Sequence, residues 1–248
     1  MPAPHDQIAK DGFRLRGTHM SRLDAFSDIV FGFALTLLVV SLEVPRTYDQ
    51  FHAALLGFIP FALCFFFLLL IWMSHFRFFR RYGLHDAGTI WINSALLFSV
   101  LFYVYPVKFL FSVASGIHVD PNVFSDPSQP REMMEVYAVG FSAIYFCLAA
   151  LYWNAWRQRR QLQLNPFEVT ITLADLSEKL GDGCICLLCA FIAHLLPPRH
   201  AGDAGWFFFL IGIWSTINGR IAGRKIRRLR ALIPPEDLEP LPHTTESA

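Results

Sequence analysis

Apolar residues run through this chain in long blocks, broken by short charged or proline-containing stretches, and six blocks read as helices buried in lipid. They fall at about 23–44, 53–74, 89–113, 134–156, 180–196 and 205–221. A hydrocarbon core roughly 30 Å thick calls for about 20 apolar residues per helix, and the first four blocks meet that length. Pro45 closes the first block. Pro106 stands inside the third, where a membrane helix accepts proline if its neighbours satisfy the freed carbonyl. The fifth block is the weakest. Its purely apolar part, 184–196, is only about 13 residues, and the stretch 167–180 before it mixes Glu168, Asp175, Glu178 and Lys179 with apolar residues as an amphipathic lead-in. The pattern therefore divides the chain into a polar segment 1–20, a six-span domain 21–222, and a tail 223–248 that is first basic and then, from Pro234, disordered. The Pro-, Asp- and Ser-rich stretch 115–130 reads as an exposed connector. There is no internal repeat; the second Phe-Ser-Asp, at 124–126, is a coincidence within that connector.

Charge tests the span count independently, because cytoplasmic loops collect Lys and Arg. With six spans, one side receives Lys10, Arg14, Arg16 and Arg22; then Arg77, Arg80 and Arg81; then Arg157, Arg159, Arg160 and Lys179; and finally Arg220, Arg224, Lys225, Arg227, Arg228 and Arg230. These segments hold 17 of the 21 basic residues. Arg46, Arg131 and Arg199 fall to the other side, and Lys108 lies inside the third span. Both termini are expected to be cytoplasmic. Removing the weak fifth span would put the C-terminal basic cluster outside, so the alternation supports it.

Composition agrees: 54% hydrophobic residues, 25 Phe and a mean hydropathy of +0.40 belong to an all-α integral membrane protein of the cell membrane, multi-pass. A net charge of +1 says nothing of an acidic partner, and no nucleic-acid partner is expected. All five cysteines lie in apolar runs, so disulfides are not expected. Cys184, Cys186 and Cys189 lack a fourth ligand and read as small buried hydrophobes. No signal peptide is expected before the first span. Catalytic groupings, phosphate loops and metal spacings are absent: His52, His75, His85, His118, His194 and His200 scatter between both membrane faces. The chain is not expected to be an enzyme or to carry a cofactor. The basic run 220–230 could meet anionic lipid, although a positive-inside anchor explains it as well.

The most informative segment is 21–44, where Ser-Arg-Leu-Asp-Ala-Phe-Ser-Asp leads into an almost purely apolar helix. Arg22 and Asp24 reach the headgroup region, where anchoring suffices. Asp28 lies about a turn deeper, as a dipole-favoured N-terminal residue or a partnered buried carboxylate. With the N-terminus inside, Asp28, His75 of the second span and Asn93 of the third share one layer and are expected to face one another. His75 reads as a structural histidine before a proton sensor. At about 100° per residue, Arg22, Phe26, Ile29, Phe33, Thr36, Leu37, Val40 and Val44 form one stripe, with Asp28 and Leu35 on the far side. Periodicity alone favours lipid or bundle core for that stripe. Symmetry mates around an axis are the alternative, with a pore gated by dewetting and Thr36 as its only hydroxyl.

Arg22, Phe26, Ser27 and Asp28 spell Arg-x-x-x-Phe-Ser-Asp, and with the apolar string after it the segment resembles the transmembrane protein 175 family, potassium-permeable channels of endosomes and lysosomes with bacterial relatives. Trp72, His75 and Asn93 are similar to the polar positions that accompany this motif. The resemblance covers about 15–110 well and the rest mainly by span count. It implies a homotetramer of six-span subunits whose first spans line the pore, with Ile29, Phe33, Thr36, Leu37 and Val40 facing it. Arg22, Phe26, Ser27, Asp28, His75 and Asn93 become a structural and gating network. Phe33 stands where the family commonly carries an aliphatic constriction, a departure that bears on conductance and preference. Thr36 matches a threonine tied to potassium preference. Implied partners are potassium ions as the permeant species, membrane lipid and further copies of the chain. The alternative reading is a proton-coupled transporter or proton-permeable pathway using Asp28 and His75; a third is a non-transporting scaffold.

Overall fold

The computed structural model describes residues 7–9, 12–40, 46–115 and 123–230. Val44 and Pro45 at the end of the first block, part of the outer connector and the tail beyond 230 lie outside the described residues. Within them the chain forms α1 (Arg22–Val40), α2 (Tyr48–Tyr82), α3 (Ala87–Ser115), α4 (Gln129–Arg157), α5 (Pro166–Leu195) and α6 (Phe209–Arg230). A 3-10 segment, Pro198–Phe208, leads into α6. Among the described residues, the one sheet is a small antiparallel hairpin of β1 (Gln7–Ile8) and β2 (Arg14–Leu15), with Gln7 opposite Leu15 and Ile8 opposite Arg14.

Among the described residues, four helical stretches are long and apolar enough to cross a membrane: Arg22–Val40, Gly57–Tyr82, Ala87–Ser115 and Gln129–Arg157. The boundaries differ from the sequence pattern in instructive ways. Arg77, Arg80 and Arg81, expected in a loop, form the last turns of α2, which runs to 35 residues. The amphipathic lead-in and the fifth block are one continuous helix, α5, started by Asn165 and Glu168 in a reciprocal capping box with Pro166 at the first position. Asp182, inside the expected fifth span, is a buried carboxylate, and Lys179 Nζ lies 3.7 Å from it. Cys186 and Cys189 are buried as expected, whereas Cys184 is exposed on the α5 surface. The core joins Phe31 and Leu38 of α1 to Leu68, Ile71 and Phe78 of α2, Leu96 and Val100 of α3, and Leu148, Tyr152, Ile171 and Leu176 of α4 and α5.

The described part of the polar N-terminal segment packs on the helices. A helix leaves its last carbonyls without intrahelical donors. At the end of α2, Gly83 in the left-handed region (φ +57°) returns its N–H to the Phe79 carbonyl, and the N-terminal segment supplies two further donors. Gly17 N–H donates to the Arg80 carbonyl at 3.1 Å and Arg16 N–H to the Arg81 carbonyl at 3.3 Å. The approach is so close that a Cβ on Gly17 would lie 2.2 Å from the Phe79 oxygen, so only glycine fits. Phe13, fully buried, stands edge-on to Tyr82 with centroids 5.5 Å apart, under the Arg81 guanidinium at 5.0 Å.

Two arginines then tie this strap to α5. Arg14 and Arg16 reach Glu168 Oε2 at 3.1 and 2.9 Å, and Glu168 is fully buried. Burial alone would raise the Glu168 pKa; the hydrogen bonds from Arg16, Arg14 and the Asn165 N–H outweigh it and hold the carboxyl below its ordinary value. Arg81 pairs with Asp175, and Tyr82 bonds Thr172 at 2.8 Å, so the end of α2 grips the start of α5. Asp86, just before α3, accepts from Thr89 Oγ1 at 2.6 Å, Gln158 Nε2 at 3.1 Å and Asn154 Nδ2 at 3.2 Å. Burial pushes its pKa up, but these donors bring it down to about 2 from 3.8.

Glu168→Gln is expected to lower the thermal midpoint of the detergent-solubilised protein by more than the exposed control His200→Gln, because it leaves two arginines against a neutral amide. Asp86 has a depressed folded pKa, so its contribution is complete above about pH 4 and is lost as pH falls towards 2. Between those values the acid loss of stability in Asp86→Asn should be shallower than in the wild type, read by thermal melts across the pH series.

Candidate functional site

The candidate site is α1 and the two helices that hold it. Its start is set locally: Asp24 N–H donates to Ser21 Oγ at 3.1 Å and Ser21 N–H to Asp24 Oδ2 at 3.0 Å, a reciprocal cap. Asp24 thus has a structural task that the headgroup reading overlooked, although the Ser-x-x-Asp spacing signals it. Beyond the cap, Ser27, Phe31, Ala34 and Leu38 are buried, one helical face against α2 and α3. The opposite face is bare: Ile29 is 69% exposed, Phe33 56% and Val40 77%. Phe26 and Thr36 share it. Leu37 is half-buried, packed on the core at its edge. Thr36 Oγ1 donates to the Phe33 carbonyl at 2.7 Å, which spends its hydrogen inside the helix and leaves the oxygen lone pairs turned outward.

The inner face is held by a chain of hydrogen bonds. Ser27 Oγ donates to the Leu23 carbonyl at 2.8 Å, so Ser27 must accept from Asn93 Nδ2, 2.9 Å away. That orientation turns Asn93 Oδ1 towards His75 Nε2 at 2.8 Å. A carbonyl oxygen only accepts; His75 therefore carries a hydrogen on Nε2, and in the neutral ring Nδ1 is a bare acceptor. The rings of Phe31 and Phe79 enclose His75, with centroids at 5.4 and 4.6 Å.

Of the residues expected to share this layer, His75 and Asn93 meet and Ser27 completes them. Asp28 is joined instead to α2 by Trp72, whose Nε1 donates to Asp28 Oδ1 at 2.8 Å. Periodicity gave no sign of that contact; only the resemblance singled out Trp72. Arg22 and Phe26 are exposed and stand outside the hydrogen-bonded group. No group of three His, Cys, Asp or Glu among the described residues is placed to hold a metal ion.

Comparison with known proteins bears on the same region. A family model described as the endosomal/lysosomal potassium channel TMEM175 matches residues 22–103, which include the bare face of α1 and Ser27, Asp28, Trp72, His75 and Asn93. The chain is similar to a potassium channel of Marivirga tractuosa, 35% identical over 231 residues that cover 88% of this chain and 93% of that protein. A potassium channel of Chamaesiphon minutus is 28% identical over 144 residues, 55% of this chain and 64% of the other. Among solved structures, the potassium channel MtTMEM175 superposes with a TM-score of 0.76 at 32% identity, covering 88% of this chain and all of that one. A TMEM175 homologue from Chamaesiphon minutus, described as a lysosomal potassium-selective channel, shares the fold with a TM-score of 0.51 at 24% identity over 79% of this chain and 96% of that one.

Asn93→Ala strands His75 Nε2 and Ser27 Oγ together and should cost about 1–3 kcal/mol, more than Ser27→Ala at about 1 kcal/mol. A double-mutant cycle by thermal denaturation in detergent should show the two changes to be non-additive, because they cut the same chain.

Proposed function

Because this chain belongs to the endosomal/lysosomal potassium channel TMEM175 family, a family of ion channels and not of enzymes, we propose that it is a potassium-permeable cation channel in which α1 of each of four copies lines a central pore. The protein is a multi-pass membrane protein. In the proposed assembly both termini are cytoplasmic, six spans cross the bilayer at about the positions expected from sequence, and α5 and α6 cross among their neighbours rather than as freely lipid-exposed helices. The membrane is the cell membrane.

The observation that carries this reading is the division of α1 into two faces. Its polar side is bound to α2 and α3 of the same subunit through Ser27 and Asp28, and its other side offers Ile29, Phe33, Thr36 and Val40, left exposed by the described residues. A helix pinned in that way has one face left for its symmetry mates. Phe33 rings form the narrowest, dewetting constriction, with Leu37 at its flank and Val40 above it. Thr36 presents oxygen lone pairs one turn beyond Phe33, as a weak oxygen ligand for a partly dehydrated cation. The bare face carries no acidic ring, so preference for potassium over sodium is moderate. The network of Ser27, Asp28, His75 and Asn93 sets the rotation of α1 and hence the constriction.

Purified protein in liposomes should pass potassium down its gradient, and Phe33→Ala should raise the flux severalfold; absence of flux from both forms would sink the channel reading. Bi-ionic reversal potentials in potassium and sodium should favour potassium, with Thr36→Ala reducing the ratio. The bare Nδ1 of His75 is what favours a proton-coupled reading. Flux that required a proton gradient and vanished in Asp28→Asn would establish that reading instead.

A further inference from the structure

The side of α6 that meets its own subunit is set by a few contacts. Ile211 and Ile226 pack on the core, and Trp214 Nε1 donates to the Glu178 carbonyl at 3.3 Å. Asn218, buried, donates to the Ala174 carbonyl at 2.9 Å and accepts from Ser177 Oγ at 2.9 Å. The side turned away from the bundle carries Phe209, Ile213, Ile217 and Ile221, four residues apart and all exposed. From Phe209 to Ile221 that stripe runs ~18 Å, about the depth of one leaflet in a hydrocarbon core roughly 30 Å thick.

At the end of the stripe the chemistry changes while the direction does not. At about 100° per residue, Arg220, Arg224, Arg227 and Arg228 all fall within the arc marked by the four apolar residues, and all four are exposed. Lys225, the neighbour of Arg224, falls outside that arc. α6 contains no Asp or Glu, and none of the four guanidinium groups is paired with a carboxylate among the described residues. The bias of Lys and Arg towards the cytoplasmic side requires only that cations follow a span; it selects no face of the helix. Here the face is selected, and it is the one whose apolar part is left for acyl chains.

We propose that this patch is a binding surface for the headgroups of anionic phospholipids in the leaflet beside the end of α6. Guanidinium groups present paired N–H donors that fit phosphate oxygens, and their apolar stems lie along the helix while the charged ends reach the headgroup layer. The isoleucines of the same stripe meet the acyl chains of those lipids, so a single lipid contacts both parts. Bound lipid thereby fixes α6 against the bilayer, and α6 in turn holds α5 through Trp214 and Asn218. The proposal rests on the proposed function only for the placement of α6 in the membrane with its basic end on the cytoplasmic side.

Native mass spectrometry of the full-length protein tests it, with phosphatidylglycerol and phosphatidylcholine of matched acyl chains as competing probes. Bound phosphatidylglycerol should exceed phosphatidylcholine severalfold, and the excess should shrink as ionic strength rises. Arg224→Gln should lower the excess about fivefold. Lys225→Gln removes the same charge one residue away, outside the arc, and should lower it less than twofold. Both positions are exposed, so neither change removes a packed group. Absence of a preference in the wild type, or an equal loss in the two variants, overturns the proposal. A preference seen only after residues 231–248 are removed also overturns it, and gives the patch to that segment with its Glu236, Asp237 and Glu239. Loss of association between copies in Arg224→Gln, without loss of the lipid preference, gives the patch to a second copy and overturns it likewise. The measurement involves no ion flux, so this proposal and the channel reading fail by different observations.

Discussion

The rotation of α1 about its own axis is the constraint on which the rest of this protein depends. In an apolar medium a polar side chain without a partner is costly, so Ser27 and Asp28 must turn towards groups that can bond them. Asn93 and Trp72 are those groups, on two different helices. A turn of one residue, about 100°, would carry Ser27 off Asn93 and swing Phe33 into the subunit. Two hydrogen bonds thus decide which apolar residues of α1 remain uncovered.

The strap adds a second hold on the same helix. Its backbone N–H groups finish the end of α2, its Phe13 fills the gap beside Tyr82, and its arginines bracket the buried Glu168 of α5. It then runs directly into Ser21 and the cap of α1. The entry point of α1 is therefore tied to two other helices before its first turn begins. In the proposed channel, this makes the strap a fixed base against which the setting of the pore helix is measured.

The chain also shows how charged residues are kept in helices that lie among membrane spans. Asp175 is matched by Arg81 from the end of α2, and Glu168 by the strap. Asp182 lies near Lys179, one turn before it, with Glu178 bonded to the same ammonium group. These pairings let α5 run continuously from its polar first turns into the apolar part, where a freely lipid-exposed helix of this composition would not be stable.

Much of this was legible in the linear pattern. The apolar blocks marked the six helices, because a helix that crosses a bilayer needs a long run of apolar residues in one stretch of sequence. The 3.6-residue period separated Phe33 from Asp28, because it is a property of one helix alone. The polar residues Asn93 and His75 were recognisable as a shared layer from their depth. What the pattern could not supply was pairing between helices. That Trp72 rather than His75 meets Asp28, that Arg16 and Gly17 of the polar segment cap α2, and that Asp182 is buried all depend on which faces meet across elements distant in sequence. Periodicity ranks the faces of a helix, but only packing selects the partner, since the energy of a buried polar group lies in a contact that neither sequence segment contains by itself.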